Sequence, residues 1–439
     1  MDLGEFEALY DSQMKTVGIG IAGAGNVGGT LVERLLADRR AVRDKTGLDL
    51  EVRRVAVRDT VRDRGVPSSV LTTNVMDLIT DENVDLVVEV MGGTDPAGEL
   101  VVAALKAGKP VVTANKELVA SRGPELLAIA SDAGVPFLFE AAVGGGIPII
   151  RPLMESLAGE QIRRVMGIVN GTTNFMLTAM TETGADYDTV LAEAQALGYA
   201  EPDPTADVSG ADAASKAVIL AGLAFGAWVS PSEVHREGID RLTPSDFAAA
   251  ARLGFTIKLL AVAEETSDGV VVRVHPTMIP LSHPLAGVRG ATNAIYIEGT
   301  SVGELLFAGP GAGGAPTATS VLGDVIAAAR GVVAPSVLVP PVRAEAGAHG
   351  NFGELATQWC LRIEVEDAPG VLAQIAGVFG SVGVSIKSMR QDGRGDRASL
   401  LIVTHNASES AQRVAHRGLV GLPVVSEVAS AIRVEGDEG

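Results

Sequence analysis

The sequence has one cysteine, few aromatic residues and a shortage of basic residues. Among its 439 residues only Cys360 carries a thiol, which excludes an internal disulfide and a metal site built from several thiolates. Lysine and arginine number 35 against 54 aspartates and glutamates, and the net charge of −19 argues against nucleic-acid or anionic-membrane partners. The longest uncharged apolar run, residues 217–229, suits a buried helix better than a membrane span.

The composition, with 47% hydrophobic and 20% charged residues, is that of a soluble globular protein. The length predicts two or three domains. The first residues, MDLGEFEALYDSQ, are acidic and lack the apolar core of a secretion signal, so we expect a cytoplasmic protein.

The first third of the sequence alternates strand-like and helix-like patterns, which predicts a parallel, doubly wound sheet. The segment Gly23-Ala24-Gly25-Asn26-Val27-Gly28 follows the first strand and opens a helix. This is the context that a dinucleotide-binding G-x-G-x-x-G turn requires, because pyrophosphate then lies at the helix N-terminus. The strand candidates are residues 16–22, 50–57, 84–90, 110–113 and 135–139.

Residues near two strand ends bear on the choice of cofactor and on where a ligand would bind. Arg58 stands at the tip of the second strand, where an arginine accommodates a 2′-phosphate, while its neighbour Asp59 suits a free 2′-hydroxyl. We therefore favour NADP(H) and leave NAD(H) open. Lys116 follows another predicted strand at the sheet edge where doubly wound folds bind ligands.

After residue 148 the pattern changes to an α+β arrangement with a mostly antiparallel sheet. Strands are expected at 163–169, 256–263, 270–274 and 294–298. Residues 331–353 are rich in Ala, Gly and Pro and indicate a linker. From residue 358 onward the elements follow the β-α-β-β-α-β order of a ferredoxin-like domain.

The stretch EPDPTADVSGADAASK, residues 201–216, carries most of the chemical signal. Asp212 and Lys216 stand four positions apart, so a helix places them on one face with the acid before the base. Apolar neighbours are expected to desolvate the amine partly and to favour its proton-accepting form. An ordinary surface ion pair would share this spacing, but Glu201, Asp203 and Asp207 crowd the same approach.

With these residues in view, the chain closely resembles homoserine dehydrogenases of the monofunctional bacterial type with a C-terminal ACT domain. The resemblance covers nearly the whole length. It rests on residues 23–28, VVTANK (111–116), FEAAVGGGIPII (139–150), NGTTN (170–174), LGYAEPDPTAD (197–207) and GPGAGGAPTA (309–318), together with Asp212 and Lys216.

The resemblance implies an enzyme that interconverts L-homoserine and L-aspartate 4-semialdehyde in threonine and methionine biosynthesis. By this likeness Lys216 is the acid/base residue, Lys116 is a second essential lysine near the nicotinamide, and Glu201, Asp207 and Asp212 hold the amino acid. Further cofactor contacts are implied for Thr94, Gly198 and Gly313. A sodium site is implied at Glu140, Val143, Gly145 and Ile147, mainly through backbone carbonyls, although from the sequence alone Glu140 would be read as a capping carboxylate.

The resemblance also implies a domain layout and partners. An NADP-binding Rossmann domain is expected over residues 14–147, completed by 306–335. A catalytic and dimerisation domain is expected over 148–305, a linker over 336–357 and an ACT regulatory domain over 358–439. We expect a homodimer or homotetramer, because the antiparallel sheet needs cover on its second face. If the ACT domain binds a ligand, threonine is the expected effector, held at Asp367 and Gly370; the alternative is a ferredoxin-like domain that only dimerises.

Two other functions fit parts of the sequence. A phosphorylating semialdehyde dehydrogenase needs a thiolate nucleophile, and Cys360 lies beyond the linker, far from the other site residues in sequence. A non-catalytic sensor of nicotinamide and amino acids would have no use for Lys116 and Lys216. An oxidoreductase is therefore the favoured prediction.

Overall fold

The computed structural model describes residues 15–61, 65–334, 349–394 and 396–436. The chain divides into two compact units. The first runs to Gln161 and adds Val218–Pro231 and the described residues from Phe307 to 334; the second contains Ile162–Ala217, Ser232–Leu306 and the described residues from 349. Most of the linker expected over 336–357 lies outside the described residues, as do residues 1–14.

The first unit contains a six-stranded parallel sheet in the order β3-β2-β1-β4-β5-β6. This strand order is that of a dinucleotide-binding doubly wound fold, as predicted. The strands are β1 Thr16–Ala22, β2 Asp49–Ala56, β3 Leu71–Thr72, β4 Leu86–Glu89, β5 Val111–Thr113 and β6 Phe137–Leu138, and the helices are α1 Asn26–Ala37, α2 Arg39–Thr46, α3 Asp77–Thr80, α4 Ala97–Lys106 and α5 Lys116–Ala133.

The apolar strands explain where this sheet is buried. Val17, Ile19 and Ile21 of β1 are fully buried and pack with Leu31 and Leu35 of α1 in one core. Burial of such side chains contributes about 1.5–3 kcal/mol each to folding. Helix α4 was absent from the sequence prediction, although its buried residues recur at helical spacing.

The middle of the chain supplies an antiparallel sheet with helices against it. Its strands are β7 Ile162–Ile168, β8 His235–Arg236, β9 Phe255–Thr266, β10 Gly269–Pro280, β11 Thr292–Gly299 and β12 Gly303–Pro310, and its helices are α6 Gly171–Thr183, α7 Tyr187–Ala196, α8 Thr205–Val208, α9 Ala211–Phe225 and α10 Pro244–Leu253. Helix α11, Gly314–Val333, then returns the chain to the first unit.

The face of this sheet that the sequence prediction left open is already covered along β9. Residues 256–263 point alternately to the two faces of the sheet, and all eight are buried within one chain. Both faces are therefore covered at this strand, whereas β12 carries exposed residues at alternate positions, and the oligomeric state stays a prediction.

The last described part folds as predicted, with the helices on a four-stranded antiparallel layer. It consists of β13 Ala356–Glu366, α12 Val371–Ser381, β14 Ile386–Arg394, β15 Arg397–Thr404, the short β16 Ala407–Ser408, α13 Glu409–Val420 and β17 Val425–Val434.

This layer and the middle sheet form one continuous eleven-stranded sheet, because β17 pairs in parallel with β10 through Thr277↔Arg433 and Met278↔Val434. The C-terminal part is therefore joined to the middle of the chain by backbone hydrogen bonds, in addition to the connecting segment. No helix among the described residues is long and apolar enough to span a membrane.

Candidate active site

The glycine-rich turn after β1 has the geometry that its sequence predicts. Gly23 has φ +102°, and a Cβ there would lie 2.8 Å from the Val90 carbonyl oxygen. A Cβ on Gly28 would overlap the Gly23 carbonyl, so this position needs glycine for the helix to pack. Gly25, by contrast, faces open space. With Asn26 and Val27 opening α1, the turn leaves room for pyrophosphate at the helix N-terminus.

A second glycine-rich turn, residues 309–314, adjoins the first. A Cβ on Gly314 would lie 2.5 Å from Asn26 Oδ1, and Gly313 has φ +114° just before α11. The same turn also touches the loop proposed to hold sodium, since a Cβ on Gly145 would overlap the Gly311 carbonyl. Gly313, Asn26 and Gly145 therefore lie close together around the 309–314 turn.

Two further cofactor candidates of this unit, Arg58 and Thr94, are exposed in loops that follow strands. Arg58 lies two residues beyond β2, which neighbours β1, and the Asp59 carboxylate next to it accepts the Val61 N–H at 2.8 Å. Thr94 lies in the exposed loop between β4 and α4. Both positions belong to the carboxyl edge of the parallel sheet, where nucleotides bind in this fold.

Lys116 is the first residue of α5, and the residues just before it form a buried hydrogen-bond network that the sequence analysis missed. Asn115 caps the helix through the Leu118 N–H, and its amide donates to the Gly93 carbonyl at 2.6 Å. The Thr113 hydroxyl donates to the fully buried Glu89 carboxylate at 2.6 Å. A glutamate ending the apolar run of β4 was the signal that could have revealed this network.

In the second unit, Lys216 and Asp212 meet as their helical spacing predicts. The Lys216 Nζ donates to Asp212 Oδ2 at 2.7 Å and to the Val169 carbonyl oxygen at 2.7 Å. Their side chains are 12% and 8% exposed. A pair at this depth is held far more firmly than a solvated surface ion pair, which contributes roughly 0–1 kcal/mol. The interpretation of Asp212 and Lys216 as an ordinary surface ion pair therefore does not apply.

Asn170 forms hydrogen bonds to both carboxylates near Lys216. Its Nδ2 donates to Asp207 Oδ1 at 2.7 Å and to Asp212 Oδ2 at 2.9 Å, while its Oδ1 accepts the Thr173 N–H and caps α6. The sequence analysis quoted this residue within NGTTN but gave it no role. Asn170 precedes Asp212 by 42 positions, so no local spacing predicts the contact.

The loop with Gly198 and Glu201 is tied to the same helix. Thr172 Oγ1 donates to the Tyr199 carbonyl at 2.7 Å, and the rings of Phe175 and Tyr199 lie 4.7 Å apart. Gly198 has φ +78°, and both Gly198 and Glu201 are exposed. The loop thus holds the Glu201 carboxylate in solvent beside the helix that Asn170 begins.

The Glu140 side chain is a capping carboxylate. Its oxygens accept the N–H groups of Ile149, Ile150 and Arg151 at 2.6–2.9 Å, just before the short π-helix Pro152–Ser156. The Glu140 N–H in turn donates to Asp324, whose pKa is raised to about 7 by burial. Any cation at Glu140, Val143, Gly145 and Ile147 would thus depend on backbone carbonyl oxygens rather than on this carboxylate.

Comparisons with known proteins agree with this geometry. A family model described as Homoserine dehydrogenase matches residues 148–326, its NAD binding domain matches 23–140, and an ACT domain model matches 361–412. A homoserine dehydrogenase from Corynebacterium glutamicum is 50% identical over 429 residues, covering 96% of both chains. The chain belongs to the homoserine dehydrogenase family. It is therefore an NAD(P)-dependent oxidoreductase.

Other relatives extend this result along the whole chain. The homoserine dehydrogenase of Bacillus subtilis is 42% identical and aligns with 97% of this chain and 99% of its own. The crystal structure of a homoserine dehydrogenase from Thiobacillus denitrificans is 39% identical, with a TM-score of 0.90 over 96% of this chain and 99% of that chain. A hyperthermophilic archaeal homoserine dehydrogenase in complex with NADPH matches 75% of this chain and 100% of its own, with 31% identity and a TM-score of 0.62.

Proposed function

We propose that Lys216 is the general acid/base in the reversible interconversion of L-homoserine and L-aspartate 4-semialdehyde. The observation that carries this proposal is the geometry at its Nζ, where two of three ammonium hydrogens are directed to Asp212 and to the Val169 carbonyl. The third hydrogen is left for a substrate oxygen. In the reducing direction Lys216 donates this proton to the developing alkoxide; in the oxidising direction its neutral amine accepts the hydroxyl proton.

The carboxylates around Lys216 are proposed to bind the substrate ammonium. Asp207 and Asp212 bring two negative charges, against which Lys216 places one positive charge and Asn170 a neutral amide. The surplus attracts a cation, and Glu201 adds a further carboxylate on the loop that Thr172 anchors. Homoserine, with an ammonium near its reacting carbon chain, matches this distribution of charge.

NADP(H) is the proposed cofactor, with NAD(H) as the alternative. The bound nicotinamide supplies or accepts the hydride. Gly23, Gly25, Asn26, Val27 and Gly28 are proposed to hold the pyrophosphate by backbone contact at the start of α1, and the positive charge of Arg58 favours a 2′-phosphate. The remaining contacts are assigned to Thr94, Lys116, Gly198 and Gly313.

A sodium ion is proposed at the loop of residues 140–147. Carbonyl oxygens are suitable ligands for a hard monovalent cation, and Gly144 and Gly145, with φ of 72° and 57°, bend the backbone that carries them. The Gly145 carbonyl already accepts the Ser320 hydroxyl at 2.7 Å, so it has one lone pair left for an ion. The cation would stabilise the loop that the 309–314 turn touches.

The cellular location, the pathway, the oligomeric state and the effector are also proposals. We place the enzyme in the cytoplasm, in threonine and methionine biosynthesis, as a homodimer or homotetramer. Threonine is the proposed effector at the ACT turn, where Gly370 has φ +90° and starts α12, and where the Gln391 amide donates to Asp367 at 3.2 Å. The domain limits 14–147 with 306–335, 148–305 and 358–439 are proposed on the same basis.

A parallel assay of homoserine oxidation with NADP and NAD tests the activity and the cofactor together. Reduced nicotinamide is followed by its absorbance near 340 nm, from neutral to alkaline pH. We expect faster reduction of NADP, and Arg58→Ala is expected to remove most of that preference. No homoserine-dependent signal with either cofactor would contradict the proposed reaction.

A further inference from the structure

The first unit contains a buried carboxylate that holds a turn at the carboxyl edge of its sheet. Glu89 is the last residue of β4 and is fully buried. Its carboxylate accepts the Met91 N–H at 2.8 Å, the Gly92 N–H at 3.3 Å and the Thr113 hydroxyl at 2.6 Å. All three donors are uncharged. In the part of the chain that the structure describes, no lysine, arginine or histidine forms an ion pair with this carboxylate.

The same network connects the turn after β4 with the start of α5. Thr113, which donates to Glu89, accepts the Asn115 N–H at 3.0 Å. The Asn115 side chain in turn donates to the Gly93 carbonyl at 2.6 Å and caps the helix that begins at Lys116. A shift of the Glu89 carboxylate would therefore move both the turn and the first residue of the helix.

The backbone of this turn has a conformation that depends on these bonds. Gly92 and Gly93 have φ of 75° and 73°, in the left-handed region that residues with side chains rarely adopt. Two successive residues in this region remain ordered only where surrounding contacts hold them. The Gly92 N–H bonded to Glu89 and the Gly93 carbonyl bonded to Asn115 are such contacts.

The hydrogen bonds to the turn do not by themselves require a charge. The side chain of glutamine has nearly the same shape as that of glutamate, and its amide oxygen can accept the Met91 and Gly92 N–H groups. A buried charge without an ion partner is costly, so a neutral side chain would hold the turn at a lower cost. A carboxylate at such a position is expected where a ligand of the opposite charge binds.

The nicotinamide cofactor supplies a ligand whose charge changes in the reaction. Its ring carries one positive charge when it is oxidised and none when it is reduced. Glu89 and Thr113 are paired at the ends of the neighbouring strands β4 and β5, on the edge of the sheet where doubly wound folds bind nucleotides. A negative charge at this edge stabilises the oxidised ring more than the reduced ring.

We propose that Glu89 is a positioning residue for the cofactor. Its hydrogen bonds fix the turn after β4 and the start of α5, and its negative charge favours binding of the oxidised over the reduced nicotinamide. The inference rests on the proposed cofactor contacts of Thr94 and Lys116. It does not depend on the proton-transfer role of Lys216, because cofactor binding is measured without homoserine.

The test compares the dissociation constants of NADP+ and NADPH, measured by calorimetry on the full chain. Glu89→Gln keeps the shape of the side chain and removes its charge. We expect the dissociation constant of NADP+ to rise at least about fivefold and that of NADPH to change less than about twofold. The control is Glu125→Gln on α5, whose carboxylate is 51% exposed and pairs with Arg122, and which is expected to change neither constant. Equal changes of both constants in Glu89→Gln, or no change, would overturn the proposal.

Glu89→Asp decides the case in which Glu89→Gln does not fold, as judged by circular dichroism. It keeps the charge, but its shorter side chain cannot reach all three donors, so both dissociation constants should rise by the same factor. A changed ratio of the two constants with the charge retained would overturn the proposal.

Lys116→Ala separates this proposal from the proposed cofactor contacts. If Lys116→Ala leaves both dissociation constants unchanged while Glu89→Gln alters their ratio, the assignment of Lys116 to the nicotinamide fails and the role of Glu89 is supported. If Lys116→Ala weakens cofactor binding while Glu89→Gln leaves the ratio unchanged, the cofactor contact holds and the role of the Glu89 charge is overturned.

Discussion

Two charged clusters in the second unit are built on opposite plans. Where β17 joins the sheet, Arg164 and Arg273 face Glu264 and Glu435, so two guanidiniums match two carboxylates. Around Lys216, the named contacts set two carboxylates, Asp207 and Asp212, beside one ammonium and the neutral amide of Asn170. The first cluster therefore has equal numbers of charges of each sign, whereas the named side chains of the second include one more carboxylate than ammonium.

This difference separates a structural cluster from a functional one. A buried charge without its partner costs several kcal/mol, so a cluster that only supports the fold is expected to balance. An unbalanced cluster persists where a ligand completes it, and such sites are enriched in catalytic centres. This charge distribution supports the proposal that the substrate ammonium binds at the Lys216 cluster.

The largest expected effect follows from breaking the balanced cluster. Arg273 is 1% exposed and lies 2.5 Å from Glu264 and 2.8 Å from Glu435. Arg273→Met is expected to lower the free energy of unfolding by about 3–5 kcal/mol, because two largely buried carboxylates lose one of the two guanidiniums that they share. Urea denaturation followed by circular dichroism measures this change.

The matched control is Arg252→Met. Arg252 pairs with Asp392 at 3.1 Å, but both side chains are more than half exposed, at 57% and 52%. Its removal is expected to cost less than about 1 kcal/mol. If Arg273→Met and Arg252→Met lowered the free energy of unfolding equally, the cluster around Arg273 would be no more important for stability than an ordinary surface ion pair.

The next effect concerns the unbalanced cluster. Lys216→Ala is expected to lower kcat by at least about 10²-fold, because the positioned acid/base is lost. The dissociation constant of the cofactor is expected to change little, whereas the unfolding free energy should fall, because the buried Asp212 carboxylate loses its ammonium partner. Ser215→Ala, on the neighbouring position of the same helix, is the control. Near-native turnover of Lys216→Ala would transfer the proton-transfer role to Lys116 or to water.

A smaller effect is expected when one more carboxylate is added to the Lys216 cluster. Asn170→Asp replaces the amide donor by a third carboxylate beside Asp207 and Asp212. We expect kcat/KM for homoserine to fall about tenfold or more, as for loss of a hydrogen bond to a charged group. Because clustered carboxylates take up protons more readily, the loss should shrink as the pH falls. An unchanged pH profile would show that Asn170 contributes only to the cap of α6.

Sequence reasoning predicted these clusters only where their contacts are local. Asp212 and Lys216 share a helix, so their approach follows from a spacing of four residues. Asn170 and Asp207 reach the cluster from other elements, and their contacts depend on where β7 ends against α8 and α9. Helix α10 was missed although its signal was present, since Thr243 and Asp246 form a capping box.

The junction of β17 with β10 shows the same limit at a larger scale. Both strands were predicted individually, but the prediction for β10 ended at residue 274, before the paired residues Thr277 and Met278, and 156 positions (434 − 278) separate Met278 from Val434. Nothing in the alternation of either strand identifies its neighbour. In the described residues, the C-terminal part is therefore joined to the middle sheet by strand pairing that neither strand's own sequence predicts.

The last prediction concerns how the free energy of unfolding depends on pH in the acidic range. Burial alone would raise the pKa of Glu435 and of Glu409, but the guanidiniums beside them lower both to about 2, from an ordinary value of 4.5. A carboxylate with a depressed folded-state pKa adds stability above its unfolded pKa and loses it as the pH falls toward the folded value. The contribution of these two carboxylates to the free energy of unfolding should therefore stay level above about pH 5 and be lost steadily between about pH 4.5 and 2. Glu435→Gln should flatten part of that slope, while Glu182→Gln, in an exposed pair with Arg289, should leave it unchanged. A wild-type stability that does not fall in this acidic window would mean that the junction carboxylates are not held ionised by their arginines.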